Sequence, residues 1–379
     1  MTDVLIVGGG IAGSALAIML GRRGVDVELF ERDSFPREKP CGEGLMPAGV
    51  AALDRIGLRE AVGGAPFVGV RYHVGSLVVA GRFPSAGGQP VTGVGQRRWR
   101  LDEVLFNAAA ATDGVAARSG CSVDGPLCEG ARVVGCHVGG RPRRAPLVVA
   151  ADGLHSRFRR VLGLDAPPSR RVRVGLRTHF RLANGKEQPP WVEVFLGSRH
   201  ELYVTPLPDR EVLVAGLAER GALGRNADAA LHDWIGAQPV LAERLEGAEQ
   251  LTRVAGRSPL TRDAVAGVAP GVALLGDAAG FIDPITGGGM AQALVTAELL
   301  ALHIVNGLGR GDAWLWEYEA ERRALLKDYR LLTRAVLGLA DRPRLARFVL
   351  TLLRAAPPVM SHLIGVAGGV RCLLPLERP

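Results

Sequence analysis

The stretch VLIVGGGIAGSALAIML, residues 4–20, decides the fold. Its first four residues are an apolar run of strand length, glycines follow at once, and Ala15, Leu16 and Met19 then recur at helical spacing toward Gly24. Strand, glycine turn and helix in that order open a βαβ unit. Gly8, Gly10 and Gly13 fall on the pattern G-x-G-x-x-G. The first allows a tight turn, the second lets a diphosphate touch the backbone, and the third lets helix and strand approach closely. Ala12 lies in the first turn of the helix, whose free amides face the phosphates. A second apolar strand, VDVELFER at residues 25–32, ends in Glu31, where an acid takes a ribose hydroxyl, with Arg32 beside it. These features predict a dinucleotide site and leave NAD and FAD both open.

Composition sets the frame around that unit. With 379 residues, 47% of them hydrophobic, the chain can bury a large core in one domain or two intermingled ones. Its net charge of +8 comes almost wholly from arginine, since Lys39, Lys186 and Lys327 are the only lysines. An anionic cofactor or a membrane surface fits that surplus. Nucleic acid does not, because the arginines are scattered and aromatics are few. The five cysteines, Cys41, Cys121, Cys128, Cys136 and Cys372, lack metal-ligand spacing, so no metal site is expected. Their odd number argues for a reducing compartment and a cytoplasmic chain. The strand begins at Val4, which leaves no room for a leader, and no uninterrupted apolar stretch reaches the roughly 20 residues of a membrane span.

Three later segments bear a resemblance that chooses between the two dinucleotides. LVVAADGLHSRFRR (residues 147–160), with Asp152 and Gly153 closing an apolar strand, resembles the DG motif of the flavoprotein monooxygenase superfamily typified by para-hydroxybenzoate hydroxylase. VALLGDAAGFIDPITGGGMAQAL (residues 272–294) resembles its GD motif. By that resemblance Gly276 and Asp277 approach the ribityl chain, and Gly287, Gly288 and Gly289, behind Pro284, offer backbone amides to the flavin pyrimidine edge. RRWRLDEVLF (residues 97–106) resembles the family's Arg-x-x-Leu helix start and places Arg98 on the flavin side. The resemblance implies bound FAD, with NAD(P)H as a transient co-substrate on the same surface. The GLGRG run, residues 307–311, follows a helical pattern and reads as a helix end rather than a second nucleotide site.

The expected fold is α/β (α+β). A Rossmann-like FAD-binding domain (residues 1–64, 97–170 and 261–312) is interleaved with an antiparallel-sheet substrate domain (65–96 and 171–260), and C-terminal helices follow (313–379). The sheet is read from RVRVGLRTHFRL, WVEVFL, ELYVTPL and EVLVAGL. In the first of these, Val172, Val174, Leu176, Thr178, Phe180 and Leu182 share one face, while Arg173, Arg177, His179 and Arg181 share the other. That second face is expected to be solvated. His179 as a substrate-orienting or proton-accepting group is the alternative, and Glu193 and Tyr203 are read in the same way. In the tail, Leu345, Phe348, Val349, Leu352 and Leu353 form an apolar stripe opposite Arg344, Arg347 and Arg354. The stripe is expected to pack on its own domain, with peripheral membrane contact as the alternative.

FPREKPCGEGLMPAGVAALDRIGL (residues 35–58) resembles the geranylgeranyl reductase branch through Pro36, Lys39, Cys41 and Gly42. It implies that Cys41 and Glu43 lie near the flavin, Cys41 packing against the ring or acting as a reactive thiol. That branch also carries a Tyr-x-Trp-x-Phe-Pro strand, where this chain reads ELYVTPLPDREV, with Tyr203 but neither the tryptophan nor Phe-Pro. The halogenase motif Gly-Trp-x-Trp-x-Ile-Pro and its lysine are also missing. The first reading is therefore an NAD(P)H-dependent monooxygenase that hydroxylates a lipophilic aromatic or polyketide-like metabolite through an oxygen adduct of the flavin. Reduction of isoprenoid double bonds, another flavin oxidation, and a non-catalytic redox sensor or ligand carrier are the alternatives. Cys41, His179 and Tyr203 are candidates for catalysis, none with an assigned role.

Overall fold

The computed structural model describes residues 2–169, 172–223, 226–340 and 342–373. The opening motif forms as its residues dictate. Strand Val4–Val7 is buried, and helix Ile11–Gly21, apolar all round, is buried on every side. The helix stops short of Gly24, which takes φ +75° in the turn beyond it. Gly8, at φ +108°, and Gly13 are obligatory: a Cβ on Gly8 would collide with the Ala151 carbonyl oxygen, and one on Gly13 with that of Gly8.

Six strands make the first sheet, in the order Val268–Ala269, Val272–Leu274, Leu147–Ala150, Val4–Val7, Val27–Phe30 and Val115–Arg118. All neighbours are parallel except the first pair. Helices Ile11–Gly21, Arg98–Ala110 and Gly289–Gly307 cover one face. The other face carries a three-stranded meander, Val123–Glu129, Arg132–Val138 and Arg141–Arg144, which the sequence reading missed. The Gly8–Gly10 turn, Glu31, Asp152–Gly153 and Gly276–Asp277 all leave carboxyl ends of parallel strands, the edge where open α/β sheets bind ligands.

The second sheet has eight strands and stands over that edge. It is antiparallel except where Val192–Leu196 runs parallel to Gly69–Val74, a strand supplied by the earlier stretch of chain. Strand Arg173–Arg181 corrects the expected solvated face. Its apolar side packs with Leu231, Trp234 and Ile235. Arg173, Arg177 and His179 are nevertheless buried as well, and only Arg181 is exposed. The polar side faces the loops of the first sheet, so its charges find carboxylates instead of water: Arg177 pairs with Glu38 at 2.5 Å and Arg173 with Glu201 at 2.5 Å.

One core runs through both sheets, joining Val4 and Leu16 to Val79, Val194, Leu294, Tyr318 and Met360. Helix Gly289–Gly307 is long and apolar enough on average to cross a membrane, but Gln292, Glu298, His303 and Asn306 interrupt its apolar run and half of it is buried against its neighbours. It ends at Gly307, as the GLGRG run predicts. The tail forms helices Ala313–Ala340, Pro343–Ala355 and Pro357–Ala367.

Candidate functional site

A cavity lies between the carboxyl edge of the parallel sheet and the eight-stranded sheet, with about 1450 Å³ free of protein atoms, its mouth included. Gly10, Ala12, Cys41, Gly42, Arg98, Gly153, Gly276, Asp277, Pro284, Gly287, Gly289 and Tyr203 line it. All of these were expected at the site. The rest stand behind the wall for identifiable reasons. Gly8 and Gly13 shape the turn. Glu31 is buried, its carboxylate accepting the Gly9 amide at 2.8 Å and the Asp33 amide at 3.0 Å.

Three of the expected contacts need correction. Arg32 points into solvent beside Asp33, since the chain turns after Glu31. Asp152 does not line the cavity: one carboxylate oxygen accepts the amides of Arg157 and Phe158 at the start of a short helix, and the other is buried without a partner among the described residues. Gly288 packs against the ring of Tyr329, whose hydroxyl accepts its amide at 3.2 Å, while the Gly287 amide donates to Pro284 at 2.8 Å. The amides left without acceptors are one step further on, at Gly289 and Met290, in the first turn of the long helix. No local pattern signals that shift, because it depends on Tyr329, about forty residues away along the chain.

Several features of the lining fit FAD. At Gly10 a Cβ would meet only Arg37 Nη2 at 3.7 Å, so the backbone there is open to a diphosphate. Arg37, which the sequence reading passed over, is held at this place by Asp102 at 3.2 Å and Glu31 at 3.5 Å. The Asp277 carboxylate lines the cavity and has no hydrogen-bond partner among the described residues, as a group reserved for a hydroxyl would. Positive charge is concentrated opposite it. Burial and the nearby Arg98 lower the pKa of Lys39, and burial lowers that of Arg257, with Arg32 and Arg98 adding to the effect. Asp277 partly offsets both shifts, and cations gathered on a cavity wall suit an anion. Arg98 itself is buried, but Asp102 at 2.9 Å, together with Cys41, outweighs the cost of burial and raises its pKa.

The loop after Lys39 is pinned from beneath. Glu43 is fully buried and sits at φ +56°, a conformation that costs a non-glycine residue of order 1–3 kcal/mol. One carboxylate oxygen accepts the Arg98 amide at 2.9 Å, and the other lies 2.8 Å from His179 Nε2. Arg177 Nη1 donates to His179 Nδ1 at 3.1 Å, so the imidazole proton is on Nε2 and goes to Glu43. His179 is therefore neither solvated nor in contact with the cavity: it positions Glu43. Cys41 does line the cavity, and its sulfur accepts the Glu43 amide at 3.4 Å.

Tyr203 faces the cavity and donates to the Ile285 carbonyl at 3.1 Å. Burial, reinforced by Glu201, drives its pKa well up, so the phenol keeps its proton. Glu193, between cavity-lining Val192 and buried Val194, points to the opposite side of the strand, where His73 and Arg244 hold it. Burial opposes its ionisation, but those partners prevail and bring its pKa to about 2. It belongs to the framework.

Behind Tyr203, Arg173 bridges Glu201 and the buried Asp283, which starts the turn leading to the glycines. Burial pushes the Glu201 pKa up to about 7 from 4.5, and Asp283 adds to the rise while Arg173 opposes it. Between those two values the folded chain holds a proton that the unfolded chain has released. Stability should therefore fall as pH rises from about 4.5 to 7, by at most about 3 kcal/mol from this group. Thermal unfolding of Glu201→Gln across that range should show a flatter slope than wild type; an unchanged slope would remove Glu201 as its source.

Comparison with known proteins agrees with this geometry. The FAD binding domain family matches residues 1–330. Menaquinone reductase of Mycolicibacterium smegmatis is 30% identical over 96% of this chain and 92% of its own length. Digeranylgeranylglycerophospholipid reductase of Methanoculleus marisnigri is 28% identical over 85% of this chain and 82% of its own. In fold, a flavoprotein/dehydrogenase of Cytophaga hutchinsonii superposes with a TM-score of 0.83 at 21% identity, covering 97% of this chain and 93% of that one. The chain belongs to the FAD binding domain family and is an FAD-dependent oxidoreductase.

Proposed function

We propose that this oxidoreductase reduces carbon–carbon double bonds in an isoprenoid lipid, with electrons from NAD(P)H. The carrying observation is the wall opposite the cofactor loops. Val192, Ala215, Leu217, Leu260, Phe67 and Met46 make it apolar. Its one carboxylate, Glu43, is already engaged by Arg98 and His179. A substrate there is held by burial of hydrocarbon, at roughly 25 cal/mol per Å², rather than by charge. The names of the two relatives above support the same substrate class.

When bound, FAD supplies the electron and hydride chemistry. The chain's own residues do the rest. Gly10 and Arg37 would hold the diphosphate, Asp277 a ribityl hydroxyl, and the Gly289 and Met290 amides the pyrimidine edge, aided by the helix dipole. Tyr203 carries a phenol proton at the cavity wall, and saturating a double bond consumes one proton besides the hydride. Arginines around His155 match an anionic nicotinamide dinucleotide: burial lowers the pKa of His155, and Arg257, Arg262, Arg159 and Arg160 add to that effect.

Oxygenation of a lipophilic substrate is the second reading. It is favoured by the stretch 201–212, which lacks the tryptophan and Phe-Pro of the geranylgeranyl reductase branch. Product mass separates the two. After incubation with NADPH and a geranylgeranylated lipid that carries no quinone, the expected product has gained two hydrogen atoms. A product that has gained one oxygen atom would overturn the proposal in favour of the second reading.

A further inference from the structure

The second and third helices of the tail, Pro343–Ala355 and Pro357–Ala367, meet at 113° and lie on strand Leu77–Arg82. The first of them buries Ala346 and Leu350, which leaves part of its apolar stripe uncovered. Leu345 is 39% exposed, Phe348 59% and Leu352 55%, and Val359 at the start of the next helix is 51% exposed. The expectation that this stripe packs on its own domain therefore holds for one edge of it and fails for the other.

The charges beside the exposed edge are all of one sign. From Arg342 to Leu376 the sequence contains five arginines and no aspartate or glutamate. Arg344, Arg347 and Arg354 make no side-chain hydrogen bond or ion pair among the described residues. On a 3.6-residue helix Arg344 borders Phe348 at one side of the patch formed by Leu345, Phe348 and Leu352, with Arg347 and Arg354 further round on that same side. Large apolar side chains bordered by long cationic ones, whose stems reach along the apolar surface, suit the boundary between acyl chains and anionic headgroups. A second copy of the chain suits it less well, because a two-fold contact would set these arginines against one another.

The end of the last helix reaches the cavity wall through two rings. Phe67, on the cavity wall, is 5.8 Å from Phe83, and Phe83 packs against Gly368 just beyond the last helix.

We propose that the exposed edge of helix Pro343–Ala355, continued by Val359, docks on an anionic lipid bilayer. Leu345, Phe348 and Leu352 enter the acyl boundary, while Arg344, Arg347 and Arg354 meet lipid phosphates. The helix lies in the surface and does not cross it.

Vesicle co-sedimentation of the FAD-loaded full chain, without substrate, tests this independently of the reaction catalysed. Wild type should sediment with vesicles of phosphatidylcholine mixed with phosphatidylglycerol and much less with phosphatidylcholine alone. The triple variant Leu345→Ser, Phe348→Ser, Leu352→Ser should bind the mixed vesicles about tenfold or more weakly, with its flavin spectrum unchanged. Arg344→Gln with Arg347→Gln should lose a similar factor. Wild type left in the supernatant, equal binding to both vesicle types, or a triple variant that binds like wild type would each overturn the proposal. So would a wild-type dimer that the triple variant dissolves into monomers, since a second copy would then be the occupant.

Discussion

Gly10→Val should fold with nearly the stability of the wild-type apoprotein and yet come off a column colourless. At Gly10 the backbone is extended, with φ −78° and ψ −169°, and a new Cβ would meet nothing nearer than Arg37 Nη2 at 3.7 Å. Protein therefore does not fill the space in front of this residue. If FAD occupies that space, as proposed, two methyl groups there would hold its diphosphate off the amides of the helix N-terminus. A loss of about 3 kcal/mol or more, at least about 100-fold in FAD affinity, is expected. Gly13→Val provides the contrast. Its Cβ would collide with the Gly8 carbonyl and press on Ile6, so the chain itself should fail, with or without cofactor. Thermal unfolding and flavin absorbance of the two purified variants separate these outcomes. A yellow Gly10→Val protein would show that the diphosphate lies elsewhere.

Glu43→Ala should cost about 3–5 kcal/mol of stability, out of proportion to the atoms removed. It leaves the Arg98 amide and His179 Nε2 without acceptors in a fully buried place, whereas the wild-type carboxylate serves both at 2.8–2.9 Å. Glu43→Gln keeps the shape but not the polarity. Its oxygen can take the Arg98 amide, yet its NH₂ then faces the Nε2 proton of His179. The other tautomer would put a proton on Nδ1 opposite the Arg177 guanidinium. A loss of about 1–3 kcal/mol is expected, less in a His179→Leu background than in wild type. Denaturant unfolding of the single and double variants gives the coupling directly. Additive losses would mean that Glu43 and His179 do not act as a unit, and that His179 does not position the Cys41 loop.

The parts of this molecule legible in its sequence are those that local chemistry fixes. Residues 4–31 announce strand, turn, helix and acid because each step depends on neighbours within a few positions. The later glycine loops were legible through their resemblance to the flavoprotein monooxygenase motifs. Pairing across the chain was not legible. The alternation in 172–182 was correctly divided into two faces, but which face meets water depended on Glu38, Glu43 and Glu201, brought in from distant segments. Gly288 lost its place at the cofactor edge to Tyr329 by the same kind of contact. Arg37 escaped notice because its role depends on Asp102, on another helix. In the tail, the 3.6-residue period revealed the stripe but could not show how much of it the strand Leu77–Arg82 would cover.

The central claim is that the apolar wall presents an isoprenoid double bond to the reduced cofactor. The most direct measurement is anaerobic: reduce the FAD-loaded enzyme, remove excess reductant, add substrate without oxygen, and follow the flavin absorbance. With a geranylgeranylated lipid, which unlike menaquinone has no quinone ring to take the electrons, the account predicts that the yellow colour returns with substrate alone, one flavin reoxidised for each double bond saturated. A flavin that stays bleached until oxygen is admitted, then yields an oxygenated lipid, would contradict it.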